Sequence, residues 1–597
     1  MSTYLIEIAF GPVQGFINAA RRSRDLWAGS WLLSGLARAA GQSLLDNKAT
    51  LIYPIASRVR REDKEENSNL SNVLLARVEA ASMQDAADIA SAAQQAAREL
   101  LRHHARKAHA DWTDAGVKLR DELWERQVED AVESYAAWSE MGADGYRPAY
   151  ERLKTSFAAR KNTRNFAPMF APGKEHLGLG VPKSSLDGLR ESVLPKDRKT
   201  FPARFGLSQG EQLDAMGCIK RVVGRQERFT ALPRIAADGW LKELPEQALK
   251  GLCDAYEPLV ALDLATRSNG NAGVYQTFPY DAGLLFPERF EKALAEADQQ
   301  LDARGALDRL GKVLRPLWTE HGRPCPYAAL IVADGDRMGR FIDRACSAEA
   351  HGRVSAALAD FADRVPAIAQ RHRGHCLFNG GEDLTVLFPL SGVMEGAREL
   401  AREFNDAIKA VLRELLGEQP DPADRPTLRV GAAICHVLEP LGVIRGYGDA
   451  AEKFAKGEGG RDGQGNALGL CLHERGGHEI RLRVSFDDEA AFQAFDDWVA
   501  AYDEGSMPGG LAYRIRDAYL RSTEAGLGAQ VTAAEVRRAV MHANRRGGEQ
   551  SMAAAMQKTL CDRARKGGAE VARLADELIL ARWLSARTAG ALTQRSL

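Results

Sequence analysis

The sequence predicts an α+β chain built on a duplicated strand–turn–helix unit, with helical segments between and after the two copies. Three stretches carry this reading. Ala328 to Gly339 is an apolar run that ends on Asp334, turns at Gly335 and continues through Asp336 and Met338, the pattern of a buried strand closed by a glycine turn. Cys376 to Phe388 reads as a hairpin: an apolar run, an Asn379-Gly380-Gly381 turn, the acids Glu382 and Asp383, and a second apolar run. Tyr4 to Ile17 repeats the first pattern, with Tyr4 to Phe10 as strand, Gly11-Pro12 as turn and a helix leaving through Gln14, Phe16 and Ile17.

At 597 residues the chain is too long for one core, and three or four domains are expected. Hydrophobic residues make up 45% and charged residues 27%, the balance of a soluble globular protein. The formal net charge of -1 offers no global basic field, so contacts with nucleic acid must come from local patches or partner subunits. The 8 cysteines are scattered without a Cys-x-x-Cys pair, which argues against a zinc ribbon and a disulfide framework. No signal peptide and no membrane-length apolar run is seen, so a cytoplasmic location without membrane contact is expected.

Taken in order, the first strand feeds a helical stretch running through Arg21, Arg22 and Arg24 to Trp27, Ser30 and Ser34. Pro12 suits a helix start, where its missing N–H costs nothing. Those arginines read equally as a solvated face or as phosphate contacts. Leu51-Ile52-Tyr53 and Val73 to Val78 are the hairpin matching 376–388, separated by a polar loop over residues 56–72. In the alignment of the copies, Ala9-Phe10-Gly11 falls on Ala333-Asp334-Gly335, and Ser71-Asn72 lies where the second hairpin has its acids. The first copy therefore lacks metal ligands, although the helix start after Gly11 suits phosphate. Residues 82–140 read as helical, with Trp112, Trp124 and Trp138 as core anchors and His103, His104 and His109 read as a solvated face in preference to a metal site. No His-Asp dipeptide occurs, which argues against an HD-type metal nuclease. Two basic runs follow, Arg152 to Phe166 and Lys220 to Arg234; each reads equally as an RNA track or as a solvated or subunit-facing surface. Residues 393–416 read as an amphipathic helix, Thr427 to Cys435 as a strand and Ala450 to Lys456 as a helix before a glycine-rich loop. Lys456 is either a triphosphate contact or a surface lysine. Residues 486–597 read as a helical bundle.

The chemistry is concentrated in the second copy. If its strand and hairpin lie side by side, Asp334, Asp336, Glu382 and Asp383 meet at one sheet edge. Carboxylates that close repel one another unless a cation sits between them. Hard oxygen ligands suit Mg2+ or Mn2+, and two such ions are the usual means of joining a nucleotide phosphate to a hydroxyl. Each turn alone is ordinary. Paired within about fifty residues, each against a β-branched run, they match the layout of palm-type nucleotide cyclases and polymerases.

The chain resembles the large, polymerase/cyclase-like subunit of type III-B CRISPR effector complexes. The resemblance rests on Gly11-Pro12-Val13-Gln14 with Phe16-Ile17, and on Asp25-Leu26-Trp27 with Ser30 and Ser34. It rests further on Asp334-Gly335-Asp336 with Met338-Gly339, on Gly380-Gly381-Glu382-Asp383, and on Ala455-Lys456 followed by Asn466-Ala467-Leu468. It implies two ferredoxin-like palm domains (1–145 and 319–482), a mixed, largely helical middle domain (146–318) and a C-terminal helical domain (483–597). It implies partners too: guide RNA, target RNA and the other effector subunits. The activity implied is target-activated conversion of ATP to cyclic oligoadenylate. Asp334, Glu382, Asp383 and the Gly335 backbone would hold the metals; Gly335, Asp336, Gly380, Gly381 and Lys456 would meet the nucleotide. Gly11, Gln14 and Ser30 would hold the acceptor nucleotide, whose 3′-hydroxyl attacks the α-phosphate.

Three departures from the family pattern stand out. The usual Asp-Asp pair is Glu382-Asp383 here, still two ligands, and related diguanylate cyclases accept it. The N-terminal HD nuclease of many members is not expected, because the sequence starts at the first palm. The zinc cysteines of many members are missing from the middle segment. Some relatives join AMP to S-adenosylmethionine instead of a second ATP, a choice made at the acceptor site. A non-catalytic scaffold and a free-standing nucleotide cyclase are the readings from other classes.

Overall fold

The computed structural model describes residues 1–60, 70–163, 180–196, 205–208, 210–224, 229–268, 274–297, 301–421, 424–457, 465–475, 477, 479–546 and 552–593. Two sheets organise the chain. The first has four antiparallel strands, β1 (Ser2–Gly11), β2 (Thr50–Tyr53), β3 (Val73–Ala80) and β4 (Glu133–Glu140), in the order β2-β3-β1-β4. The second has six: β5 (Tyr327–Asp336), β6 (His375–Asn379), β7 (Leu384–Phe388), β8 (Thr427–His436), β9 (Ala467–His473) and β10 (Glu479–Ser485). Their order is β10-β9-β8-β5-β7-β6. In both sheets a helix links the first strand to the second, a hairpin follows, and another helix leads to the fourth strand. This is the ferredoxin-like β-α-β-β-α-β arrangement, present twice, and the α+β expectation holds.

β5 shows why its sequence is an unbroken apolar run rather than an alternating one. It is the inner strand between β7 and β8, and the sheet is covered on both faces. Ala328, Leu330 and Val332 face the core shared with the first sheet and the middle helices. Tyr327, Ala329, Ile331 and Ala333 face the core shared with the helices after β10. A strand buried on both sides has no position at which a polar residue is free of cost. The first sheet is likewise covered twice: Tyr4, Ile6, Ile8 and Phe10 face the large core, and Leu5 and Ala9 face Ala149, Leu153 and Phe157 of the helix Tyr146–Asn162.

Several expectations are corrected. The helical stretch after Pro12 is two helices, Val13–Asn18 and Ser23–Asp46, not one. Residues 82–140 are not all helical: after Met83–Asp114 and Asp121–Glu129 the chain forms β4, and Trp138 lies on that strand. Alanine does not prevent a strand where an unpaired edge of β1 offers a full ladder. The helix before Lys456 begins at Leu441, and β10 extends the sheet beyond β9. The second basic run is neither an RNA track nor a solvated face among its described residues. Lys220 is 1%, Arg221 4% and Arg234 0% exposed. Arg221 pairs with Asp25 at 2.7 Å and Glu211 at 2.8 Å, and Arg234 pairs with Asp238 at 3.0 Å. Arg225, Arg228, residues 164–166 and most of the 56–72 and 457–465 loops lie outside the described residues. Of the first run, Arg152 pairs with Asp144 at 2.5 Å and Lys154 with Glu7 at 3.5 Å. None of the eight cysteines forms a disulfide. Among the described residues no helix is long and apolar enough to cross a membrane.

The helix Leu441–Lys456 sits on the second sheet with no room to spare. A Cβ on Gly431 of β8 would lie 2.0 Å from the Glu452 nitrogen and 2.3 Å from the Ala451 carbonyl carbon. Gly431→Ala must therefore lift that helix, weakening this region by about 3 kcal/mol. Faster hydrogen exchange at β8 and β9 amides is the expected signature; protection equal to that of the parent would contradict this packing.

Candidate active site

β5 outruns its neighbour β7. The last β5–β7 pair is Ala333↔Leu384, whereas pairing with β8 continues through Asp334↔Arg429, Gly335↔Leu428 and Asp336↔Thr427. The turn preceding β7 therefore arrives beside Asp334 with Glu382 and Asp383 at its end. Gly335 makes this approach possible: a Cβ there would lie 2.8 Å from the Cβ of Glu382. The turn is fixed from beneath by Asn379, 1% exposed, whose Nδ2 donates to the Ala362 carbonyl at 2.6 Å. Its Oδ1 accepts from the Gly381 amide at 3.2 Å, and the Gly380 amide donates to the Asp383 carbonyl at 2.8 Å. Gly381 has φ +108°, a conformation that a side chain would strain.

Sequence reasoning missed four charged residues that complete this site. Arg429, a half-buried cation in an otherwise apolar strand, donates to Asp334 Oδ2 through Nη2, to Asp336 Oδ1 through Nη1 and to Glu452 Oε1 through Nε. Arg445 pairs with Asp449 at 3.1 Å and donates to the Thr385 hydroxyl. Arg445, Asp449, Glu452 and Lys456 are spaced by four, three and four residues, so they share one face of the helix Leu441–Lys456. That spacing was the available signal. Lys456 is exposed at the helix end, on the face that presents Glu452 to the site.

Six carboxylates (Asp334, Asp336, Glu382, Asp383, Asp449, Glu452) thus meet two guanidiniums. Fully ionised, the site carries an excess of four negative charges. At an effective dielectric near 20, like charges 4 Å apart repel by about 4 kcal/mol. The acids respond accordingly. Burial pushes Glu382 up to about 7, with Asp334 and Asp383 adding to the rise. Burial also pushes Asp383 up to about 6 against the pull of Arg445. Asp334 is raised as well, burial outweighing Arg429. Glu382 Oε2 and Asp336 Oδ2 are buried without a hydrogen-bond partner. Asp336 itself is 6% exposed, enclosed by Arg429 and Gly465. Unpartnered buried carboxylate oxygens in surplus negative charge are what a magnesium or manganese ion satisfies, and the donor set fits one. Among the described residues no three His, Cys, Asp or Glu side chains already converge as a metal-binding group. Arg429 is drawn between Asp334 and Asp336 instead.

The first sheet reproduces the frame without the charges. Its register pairs Ala9 with Val73 and Phe10 with Ser134, as Ala333 pairs with Leu384 and Asp334 with Arg429. Phe10, Ser71, Asn72 and Ser134 therefore occupy the places of Asp334, Glu382, Asp383 and Arg429. Asn72 closes the gap itself, its Nδ2 donating to the Phe10 carbonyl at 2.8 Å. The two frames adjoin. Tyr53, at the end of β2, hydrogen-bonds Ser71 and faces Glu382; burial first, then that carboxylate, raises its pKa. Arg58 pairs with Asp363 at 2.6 Å across the same boundary. Gly11 ends β1, Gln14 is exposed on the short helix behind it, and Ser30 is 2% exposed with an unpartnered Oγ. Arg21 is exposed, while Arg24 donates to Thr266 at 2.8 Å and Arg22 donates to the Gly206 carbonyl. His109 pairs with Asp121 at 2.8 Å on the surface.

Residues 327–464 match the family model of the Cas10/Cmr2 second palm domain, and residues 5–115 match that of the CRISPR-associated protein Cmr2 N-terminal region. No curated protein matches the chain. Among solved structures, the fold is similar to a chain of the type III-B Cmr-beta complex in its apo state, with 12% identity and TM-score 0.57, covering 91% of this chain and 77% of that one. It is similar also to the type III-B Cmr-beta complex bound to cognate target RNA, with 12% identity and TM-score 0.56, covering 92% and 79%.

The raised Glu382 carboxyl has a consequence for stability. Its folded-state pKa, about 7, lies above the ordinary 4.5, so its contribution to stability is full below pH 4.5 and is lost as pH rises through 7. Glu382→Gln should raise the melting temperature of the chelator-treated chain at pH 8 by about 3 °C and leave it unchanged at pH 4. A melting profile with the opposite trend would mean that Glu382 is compensated in the folded chain.

Proposed function

We propose that the chain, two stretches of which match Cas10/Cmr2 family models, is a member of that family and the large subunit of a type III-B complex that converts ATP to cyclic oligoadenylate. Its partners are the guide RNA, the target RNA and the other subunits of that complex. The Cmr-beta assembly that shares its fold was solved with cognate target RNA, which agrees with this setting. The observation that carries the activity is the register that sets the turn bearing Glu382 and Asp383 beside Asp334 at the end of β5, with a buried Glu382 carboxylate oxygen left unpartnered.

In this reading Asp334, Glu382 and Asp383, with the Gly335 carbonyl, would hold Mg2+ or Mn2+, which would supply charge neutralisation at the triphosphate and activation of the attacking hydroxyl. The rest falls to the chain. Gly380 and Gly381 present backbone without side chains, so a triphosphate can lie against the turn. Lys456, on the face of its helix shared by Glu452, brings an ammonium to the phosphates. Asp336 anchors Arg429 and shapes the floor of the site. The acceptor nucleotide lies against the first palm near Gly11, Gln14 and Ser30, away from the acid cluster of the second palm. Its 3′-oxygen bonds the α-phosphorus, the bond to the pyrophosphate leaving group breaks, and the hydroxyl proton passes to solvent or a site carboxylate.

The test is a product assay on the reconstituted complex with guide and matching target RNA, Mg2+ or Mn2+ and labelled ATP, with and without S-adenosylmethionine. Oligoadenylate from ATP alone is expected, falling about 100-fold or more in Asp383→Ala, as loss of several kcal/mol of transition-state stabilisation requires. A conjugate formed only with S-adenosylmethionine would reassign the acceptor. No product in either case, with RNA bound normally, would leave a scaffold. Product from the chain without RNA would point to a free-standing cyclase.

A further inference from the structure

We propose that Arg429 is an internal counter-ion: it holds the metal-free site together and is displaced when a divalent cation enters. This rests on reading Asp334, Glu382 and Asp383 as metal ligands. The β5–β8 register sets Arg429 directly opposite Asp334. Its three nitrogens each take a different carboxylate, from Asp334, Asp336 and Glu452. These acids come from β5 and from the helix Leu441–Lys456, so one side chain ties two elements together. Only a guanidinium does this, with a rigid fork of donors and a charge that persists at any working pH.

Arg429 cannot satisfy the site. One positive charge answers three carboxylates, and Asp336 Oδ2 and Glu382 Oε2 remain buried without partners. A cation ligated by Asp334 competes for the oxygen that Arg429 now holds. By linkage, whatever Arg429 adds to the stability of the metal-free chain is subtracted from its metal affinity. The first palm supplies an independent comparison. Where Phe10 stands in place of Asp334, Ser134 stands in place of Arg429. The arginine is present in the palm that has the acids and absent from the one that lacks them.

The test compares Mn2+ binding, by electron paramagnetic resonance at pH 8, in the full-length parent, Arg429→Met, Arg429→Lys and Asp334→Asn. Melting curves are run in parallel with chelator and with saturating Mn2+. Arg429→Met should bind Mn2+ about ten-fold more tightly than the parent, within the usual range of coupling between two ligands of one site. It should melt lower in chelator and gain more from Mn2+. Arg429→Lys keeps one charge without the fork and should fall between, and it decides the matter if Arg429→Met does not fold. Equal or weaker Mn2+ binding in the arginine variants, while the parent binds and Asp334→Asn does not, would overturn the proposal and leave the metal site standing. A parent that binds no more Mn2+ than Asp334→Asn would overturn the metal reading, and the counter-ion role with it.

Discussion

Negative charge at the end of β5 exceeds what its neighbours neutralise, and much of the surrounding architecture answers to that. The strand is buried on both faces, so the field from its terminal carboxylates is weakly screened. Arg429 and Arg445 meet the acids from two elements, one from a strand and one from a helix. The helix that carries Arg445 is pressed onto the sheet at Gly431, where a methyl group would collide with its backbone. Tight packing there is what brings Asp449 and Glu452 close enough to matter. Electrostatics and packing are thus one design: the glycine contact sets how near the charges come, and the charges set what the site will accept.

Duplication gives the molecule two frames with the same register and different chemistry. In the first, an amide side chain fills the gap that carboxylates line in the second. Its inner surfaces serve packing, and its edge serves contact: Tyr53 faces Glu382, Arg58 reaches Asp363, and Tyr146 hydrogen-bonds His351 at 2.7 Å. His351 is held well below its ordinary value, at about 4, by burial and by Lys154, so it is uncharged near neutral pH. The two frames thus differ in charge at corresponding positions, with Phe10, Ser71 and Asn72 standing where the second has Asp334, Glu382 and Asp383.

Much of this was legible in the sequence, and the limits have physical causes. The unbroken apolar run before Asp334 and the Asn-Gly-Gly turn before Glu382 are local patterns, and both elements form where those patterns sit. The correspondence of Ala9 with Ala333, visible as a weak likeness, is reproduced by the strand register. β4 was hidden because alanine-rich sequence favours a helix and only the free edge of β1 made it a strand. The middle-segment basics looked like surface because their partners are remote: Arg221 meets Asp25 across 196 positions. A charge that is buried by a distant counter-charge cannot be told from a solvated one within a local window. Arg429 was overlooked for the same reason, since its role depends on which strand lies beside it.

The buried Lys220 ties the Gly11–Asn18 region to the timing of synthesis. Its ammonium donates to the carbonyls of Phe16 and, at 2.9 Å, Ala19, and burial brings its pKa down to about 8. These bonds span 204 and 201 positions. All four strands of the first sheet emerge from the ribosome well before residue 220 does. The nascent sheet can therefore pair while the carbonyl end of its first helix is still open to water. The carbonyls of Phe16 and Ala19 gain this donor only after residue 220 has been made, so the order of translation leaves that helix end to be closed after the sheet.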